Sequence, residues 1–158
     1  MSNHCIWVCG PANVGKSTTC YNLLQKRLRN YVTLDGDAFR RHMDNKNLTF
    51  SREDIFKSNR RCLEKVKQEM KSGWDVLVAM ITPYAEMRKQ IKDELGDSVV
   101  RVLLNASEEV RSSRINFVKS AIEFESGEYD LTYDTYRQSE DFIRDDILNH
   151  LRMKGYLG

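Results

Sequence analysis

The sequence predicts a three-layer α/β fold, a five-stranded parallel sheet with helices on both faces, and three features point to it. Short apolar runs alternate with amphipathic stretches along the whole chain, the pattern of strands joined by crossover helices. The runs are nearly continuous in apolar residues, as expected of strands covered on both faces. A glycine-flanked turn stands between the first run and the first amphipathic stretch, where a strand gives way to a helix.

In chain order, Cys5-Ile-Trp-Val-Cys9 is the first expected strand. Residues 16–28 follow with apolar side chains at helical spacing, and 31–34 form the next strand. Ser51-Arg-Glu-Asp54 has the capping-box form, with Asp54 in place of glutamate, so a helix is expected over 52–72 and closes at Ser72-Gly73. A strand at 75–81, a helix at 84–95 and a strand at 99–104 continue the alternation. A helix at 107–124, a weaker strand at 131–133 and a helix at 138–153 complete it. With 158 residues and no linker, repeat or low-complexity tract, residues 1–158 are expected to form one domain.

Composition narrows the function classes. Lys and Arg number 25 against 23 Asp and Glu, so no overall basic field announces nucleic acid. No apolar run approaches the roughly 18 residues of a membrane span, and the first five residues lead into a strand instead of a signal peptide. A cytoplasmic location without membrane contact is expected, in the host cytoplasm if the chain is phage-encoded. Cys5, Cys9, Cys20 and Cys62 match neither a C-x-x-C pair nor zinc spacing with His4, His42 and His150, which predicts reduced, mostly buried thiols.

Gly10-Pro-Ala-Asn-Val-Gly-Lys-Ser-Thr18 reads G-x-x-x-x-G-K-S-T. Glycines at both ends let successive backbone N–H groups turn inward around an anion, and the following helix adds its N-terminal dipole. Gly10, Asn13, Val14, Gly15, Lys16, Ser17 and Thr18 are therefore expected to cradle the phosphates of a nucleotide. Lys16 reaches β- and γ-phosphate oxygens, and the Ser17 hydroxyl suits the bridging Mg²⁺. A nucleotide-binding switch, the non-enzyme alternative, would carry a late N-K-x-D motif. Asn45-Lys-Asn-Leu48 is too early and lacks the aspartate.

The second strand runs out into Leu34-Asp-Gly-Asp-Ala-Phe-Arg-Arg41. Ligands bind at the carboxyl ends of parallel strands, which places Asp35 and Asp37 beside the phosphate turn. Two carboxylates flanking a glycine suit a Mg²⁺ site and an acceptor for a hydroxyl proton. Asp37 is expected as catalytic base and metal ligand, with Asp35 as a catalytic partner or a support. An Asx turn capping the next helix is the alternative use of Asp37. Arg40, one helical turn on, and Arg60 or Arg61 on the long helix are candidates to hold an anionic acceptor.

Gly10 to Thr18, Leu34 to Arg40, Leu48-Thr-Phe-Ser-Arg-Glu-Asp54, Arg60-Arg61 and Ala79-Met-Ile-Thr-Pro-Tyr84 occur in the order seen in adenylylsulfate kinases. Over roughly the first 115 residues the chain resembles that family of P-loop kinases. The resemblance implies ATP- and Mg²⁺-dependent phosphorylation of a hydroxyl, with Asp37 as base. It also implies Arg40 at the acceptor, Phe50 stacked on its base, and Ile81, Thr82 and Pro83 lining its pocket. Phe50 has a warrant of its own, since an aromatic face binds any base; otherwise it staples the helix after Ser51.

The chain departs from the family in two places. Ile55 stands where the family has an arginine that grips the phosphosulfate, and Ser58 stands at its asparagine. The family's Lys-Gly-Leu-Tyr and Phe-Thr-Gly lid motifs are missing, so a shortened lid is expected over 115–129, with Arg114 or Lys119 left to neutralise the transferred phosphoryl. A more open site favours a nucleotide or nucleic-acid hydroxyl as acceptor, for example a hydroxymethylated DNA base or a 5′-hydroxyl. Adenylylsulfate and a small metabolite are the alternatives. Lys57, Arg60, Arg61, Lys65 and Lys67 would supply part of a phosphate-contacting stripe, or merely a wet helix face. Oligomeric assembly is compatible with the sequence.

Overall fold

The computed structural model describes residues 3–10, 14–16, 19, 24–41, 48–49, 51–105, 125 and 127–156, with the backbone alone at Asp37, Arg40 and Arg41. Strands β1 (Cys5–Cys9), β2 (Tyr31–Asp35), β3 (Asp75–Ala79), β4 (Val99–Asn105) and β5 (Leu131–Asp134) form one sheet in the order β2-β3-β1-β4-β5. Every neighbouring pair is parallel. The described helices are α1 (Gly36–Arg41), α2 (Arg52–Lys71), α3 (Ala85–Leu95) and α4 (Glu140–Met153).

The unbroken apolar character of β1 follows from its central position. Ile6 and Val8 point to one face, where they meet Leu24, Leu28 and the α4 residues Ile143, Ile147 and Leu151. Cys5, Trp7 and Cys9 point to the other, against Cys62, Leu63 and Val66 of α2 and Met87 and Ile91 of α3. Each large side chain buried this way contributes about 1.5–3 kcal/mol of hydrophobic free energy, so the two cores fix the sheet between its helix layers. Cys5, Cys9 and Cys62 are free and buried, as expected; Cys20 lies outside the described residues.

Element ends differ from expectation where side-chain chemistry intervenes. β3 stops at Ala79 instead of 81: Met80 still donates to the Val8 carbonyl at 3.2 Å, but the chain then leaves the sheet toward Pro83, which has no N–H to give. At the start of α2, Ser51 Oγ accepts the Asp54 N–H at 3.2 Å, which is half of the expected capping box. The Asp54 carboxylate, one methylene shorter than glutamate, turns to Thr49, accepting its N–H at 2.9 Å and its hydroxyl at 2.6 Å. These bonds, the hydroxyl first, hold Asp54 below the usual carboxylate range. α4 begins at Glu140 because Ser139 is its N-cap, accepting the Phe142 N–H at 3.1 Å. Residues 25–27 form a 3-10 turn ending the stretch expected as helix 16–28, and the expected helix at 107–124 lies outside the described residues.

The amino ends of the strands are closed by a polar cluster remote from the phosphate turn. His4, 4% exposed, hydrogen-bonds the Tyr31 hydroxyl through Nε2, faces Asp75 at 3.3 Å through Nδ1 and stacks on Tyr156. Burial holds its pKa below 6.5, more strongly than Asp75 raises it.

Candidate active site

Three described stretches of the expected site, Gly10 with Val14–Lys16, the β2–α1 junction and Ile81–Pro83, follow the ends of β1, β2 and β3. β1 runs into Gly10, where an added Cβ would lie 2.0 Å from the Leu104 carbonyl oxygen, so only glycine lets the chain leave the sheet this close to β4. Gly15 is required for a different reason: its φ is +101°, although a side chain there would meet nothing within 4 Å. Thr19 N–H donates to the Gly15 carbonyl at 3.0 Å, an i to i−4 bond of helical type. The first amides of a helix lack partners within it and are the donors an anion needs. Lys16 folds back across the turn, its Nζ 2.9 Å from the Gly10 carbonyl oxygen, so the ammonium lies over the loop that would hold phosphate. Val14 is fully buried and pins the turn to the core. Asn13, Ser17, Thr18, Phe50, Arg114 and Lys119 lie outside the described residues.

Cys9, directly before the turn, is not a nucleophile. Burial pushes its thiol up to about 12, and its S–H donates to the Val102 carbonyl.

β2 delivers Asp35, 9% exposed, whose Oδ1 accepts the Ala38 N–H at 3.2 Å and so caps α1. The capping role considered for Asp37 therefore falls to Asp35, and Asp37 sits in the first turn of α1. Gly36 permits this tight exit, since a Cβ there would press on Met80 and the Ala79 carbonyl at 3.2 and 3.3 Å. The α1 backbone also carries Arg40 one turn after Asp37.

β3 delivers Ile81, Thr82 and Pro83 as an irregular strip beside β1. Thr82 is fully buried; its hydroxyl accepts the Trp7 indole N–H at 3.0 Å and lies 3.4 Å from Asn59 Oδ1 of α2. Ile55 is 1% exposed, so the position that departs from the family pattern belongs to the interior.

Arg60, expected as an acceptor contact, binds both carboxylate oxygens of Glu94 on α3, and Glu64 at 2.6 Å, because α2 and α3 pack side by side. Hydrogen bonds from Arg60 and then Lys67 bring Glu94 down to about 2. The rest of the α2 basic stripe is largely paired as well, Lys57 with Glu53 at 3.6 Å and Lys65 with Glu69 at 3.0 Å. Those charges form a balanced solvated face.

Arg88 was missed by sequence reasoning. It is 3% exposed on α3, with Nη1 2.9 Å from the Thr82 carbonyl oxygen and Nη2 2.5 Å from that of Glu125. The signal was present: Met87, Arg88 and Ile91 form the buried stripe of α3, and a cation on such a stripe has a specific partner.

The family model for adenylylsulphate kinase matches residues 2–117. The chain belongs to the adenylylsulfate kinase family. Its curated relatives include an adenylyl-sulfate kinase of Gloeothece citriformis, 38% identical over 104 residues, covering 64% of this chain. The chain spans 58% of that protein's length. Among solved structures, the Mycobacterium tuberculosis APS kinase CysC in complex with AMPPNP and APS shares the fold with a TM-score of 0.76 at 23% identity, over 96% of this chain and 98% of that one. A hexameric APS kinase from Thiobacillus denitrificans aligns with a TM-score of 0.73 at 23% identity, over 99% of this chain and 30% of that one. The three-layer fold expected from the sequence is thus the fold of these P-loop kinases.

Among the described residues no group of three or more His, Cys, Asp or Glu is placed to hold a metal ion. The turn itself suits a magnesium-bound triphosphate, through the glycine backbone at Gly15 and the ammonium of Lys16 lying across it. Among the described residues no helix is long and apolar enough to cross a membrane.

Proposed function

We propose that the protein is an ATP-dependent kinase that transfers a γ-phosphoryl group to a hydroxyl, with adenylylsulfate as the acceptor. The observation that carries this is that the turn from Gly10 to Gly15 with Lys16 folded back on it, the β2–α1 junction and the Ile81–Pro83 strip all follow the carboxyl ends of neighbouring strands β1, β2 and β3. Backbone amides of the turn bind the phosphates, and Lys16 shifts from the Gly10 carbonyl onto β- and γ-oxygens to neutralise their charge. Ser17 and Asp37 would hold Mg²⁺, which would supply positive charge beside the transferred group. Asp37 orients the acceptor hydroxyl and takes its proton, while Asp35 fixes α1 so that Asp37 stays in place. Arg40, Phe50, Ile81, Thr82 and Pro83 receive the acceptor, and Arg114 faces the phosphoryl group in flight. Positioning and charge neutralisation supply most of the rate in such transfers.

Two observations support a small acceptor over a nucleic acid: the relatives bear adenylyl-sulfate kinase names, and the α2 basic stripe is offset by its own carboxylates. One observation favours a second reading, an acceptor without a sulfate, because the interior Ile55 offers no cation for one. The test is transfer of label from γ-labelled ATP to adenylylsulfate and to its analogue lacking the 3′-hydroxyl. Label on the first alone is expected. Label on hydroxymethylated or 5′-hydroxyl DNA, with none on adenylylsulfate, would replace this acceptor with the second class. The Thiobacillus hexamer makes self-association a matching expectation, readable by light scattering.

A further inference from the structure

We infer that Arg88 and Glu125 form a clasp that positions the acceptor strip, making Arg88 a positioning residue whose loss weakens acceptor binding and leaves donor binding in place. The inference rests on the kinase reading above. Arg88 joins two segments that the sequence keeps far apart: the strip after β3, through the Thr82 carbonyl at 2.9 Å, and the chain entering β5, through the Glu125 carbonyl at 2.5 Å. Its guanidinium also lies 5.1 Å from the centre of the Tyr129 ring.

Glu125 completes the clasp from its own side. Its N–H donates to the Pro83 carbonyl at 2.8 Å, and its Oε1 accepts the Ala85 N–H at 2.9 Å. α3 needs that carboxylate, because Tyr84 at its N-cap makes no side-chain capping bond. Arg52 of α2 reaches the same carboxylate at 3.6 Å and stacks on Tyr84, 4.1 Å from the ring centre. Three elements, α2, α3 and the segment before β5, are thereby fixed to Thr82, Pro83 and Tyr84.

Gly127 shows how closely the segment is drawn in. A Cβ there would stand 2.7 Å from Arg88 Nη2 and 3.3 Å from Nε. Two carbonyl oxygens on different segments call for a forked donor. Lysine keeps the charge but offers a single point and cannot span both. The clasp's bonds run to Thr82, Pro83 and Ala85 and not to Gly10, Gly15 or Lys16, which is why the effect should fall on the acceptor.

The experiment compares wild type with Arg88→Lys and Gly127→Ala, measuring KM for adenylylsulfate and for ATP together with amide hydrogen exchange at Ala85 and Glu125. For Arg88→Lys the acceptor KM is expected to rise about tenfold or more while the ATP KM moves less than about twofold, with faster exchange at both amides. Gly127→Ala, which keeps Arg88 and its charge, should shift the same quantities in the same direction by less. Equal rises in both KM values, or exchange at Ala85 and Glu125 identical to wild type, overturn the inference. A wild type that transfers phosphoryl to no acceptor sinks the functional reading instead, and the exchange comparison still scores the clasp, so the two failures are read from different measurements.

Discussion

Gly10 and Gly15 bracket the same turn, yet alanine should damage them in different ways. At Gly10 the added methyl would stand 2.0 Å from the Leu104 carbonyl oxygen and 3.2 Å from Val14 Cγ1, so backbone must move by more than a side-chain adjustment. Leu104 is fully buried and its strand pairs with both β1 and β5, so that movement disturbs two ladders. Overpacking of this kind costs about 1–3 kcal/mol, and the unfavourable φ of +153° adds about 1 kcal/mol. A total near 3 kcal/mol is a large part of the 5–15 kcal/mol typical of a domain, and corresponds to a fall in Tm of about 6–12 °C. At Gly15 nothing is struck, so only the conformational penalty of about 1–2 kcal/mol applies. There the turn should relax and misdirect its amides, lowering affinity for a nonhydrolysable ATP analogue about tenfold or more at modest cost in stability. Chemical denaturation and calorimetric titration of both variants measure the two quantities. A Gly10→Ala protein no less stable than Gly15→Ala, or a Gly15→Ala protein with full nucleotide affinity, refutes the division of roles.

Asp37→Asn should cut turnover by about 10²-fold or more with ATP affinity nearly unchanged, and unchanged turnover would put the base elsewhere. Acidification should destabilise the fold through His4. Its folded pKa lies below the ordinary 6.5, so its contribution is complete above that value and declines as pH falls through the window beneath it. Urea unfolding at about pH 7.5 and about pH 5.5 should show this decline, and His4→Gln should flatten it; a steeper slope in the variant would mean that Asp75 outweighs burial. Because the basic side chains of α2 are largely paired with carboxylates of α2 and α3, acceptor KM should change little between about 50 and about 200 mM salt, whereas a collapse by orders of magnitude would reveal a polymer acceptor.

The sheet was readable because its inner strands are largely buried, so 5–9, 31–34 and 99–104 stand out as nearly continuous apolar runs, interrupted only by Thr33 and Arg101, within a residue of their observed bounds. The phosphate turn was readable because two glycines at fixed spacing meet two separate steric demands, one at Leu104 and one in φ. Long-range polar partners were not readable. Nothing local says that Arg60 belongs to Glu94, or that a carboxylate forty residues away serves the amide of Ala85. Short-range spacing ranks such residues by what they resemble, and packing decides whom they meet. Arg88 is the instructive case, since its place on an apolar stripe marked it while its partners came from two other segments.

The most direct measurement titrates Mg²⁺ and a nonhydrolysable ATP analogue into the wild type and into Lys16→Ala, whose folding is checked by circular dichroism. Saturable binding to the wild type, weakened about tenfold or more when the ammonium across the turn is removed, is the predicted result. A wild type that takes up no nucleotide, or a variant that binds as tightly as its parent, would contradict it.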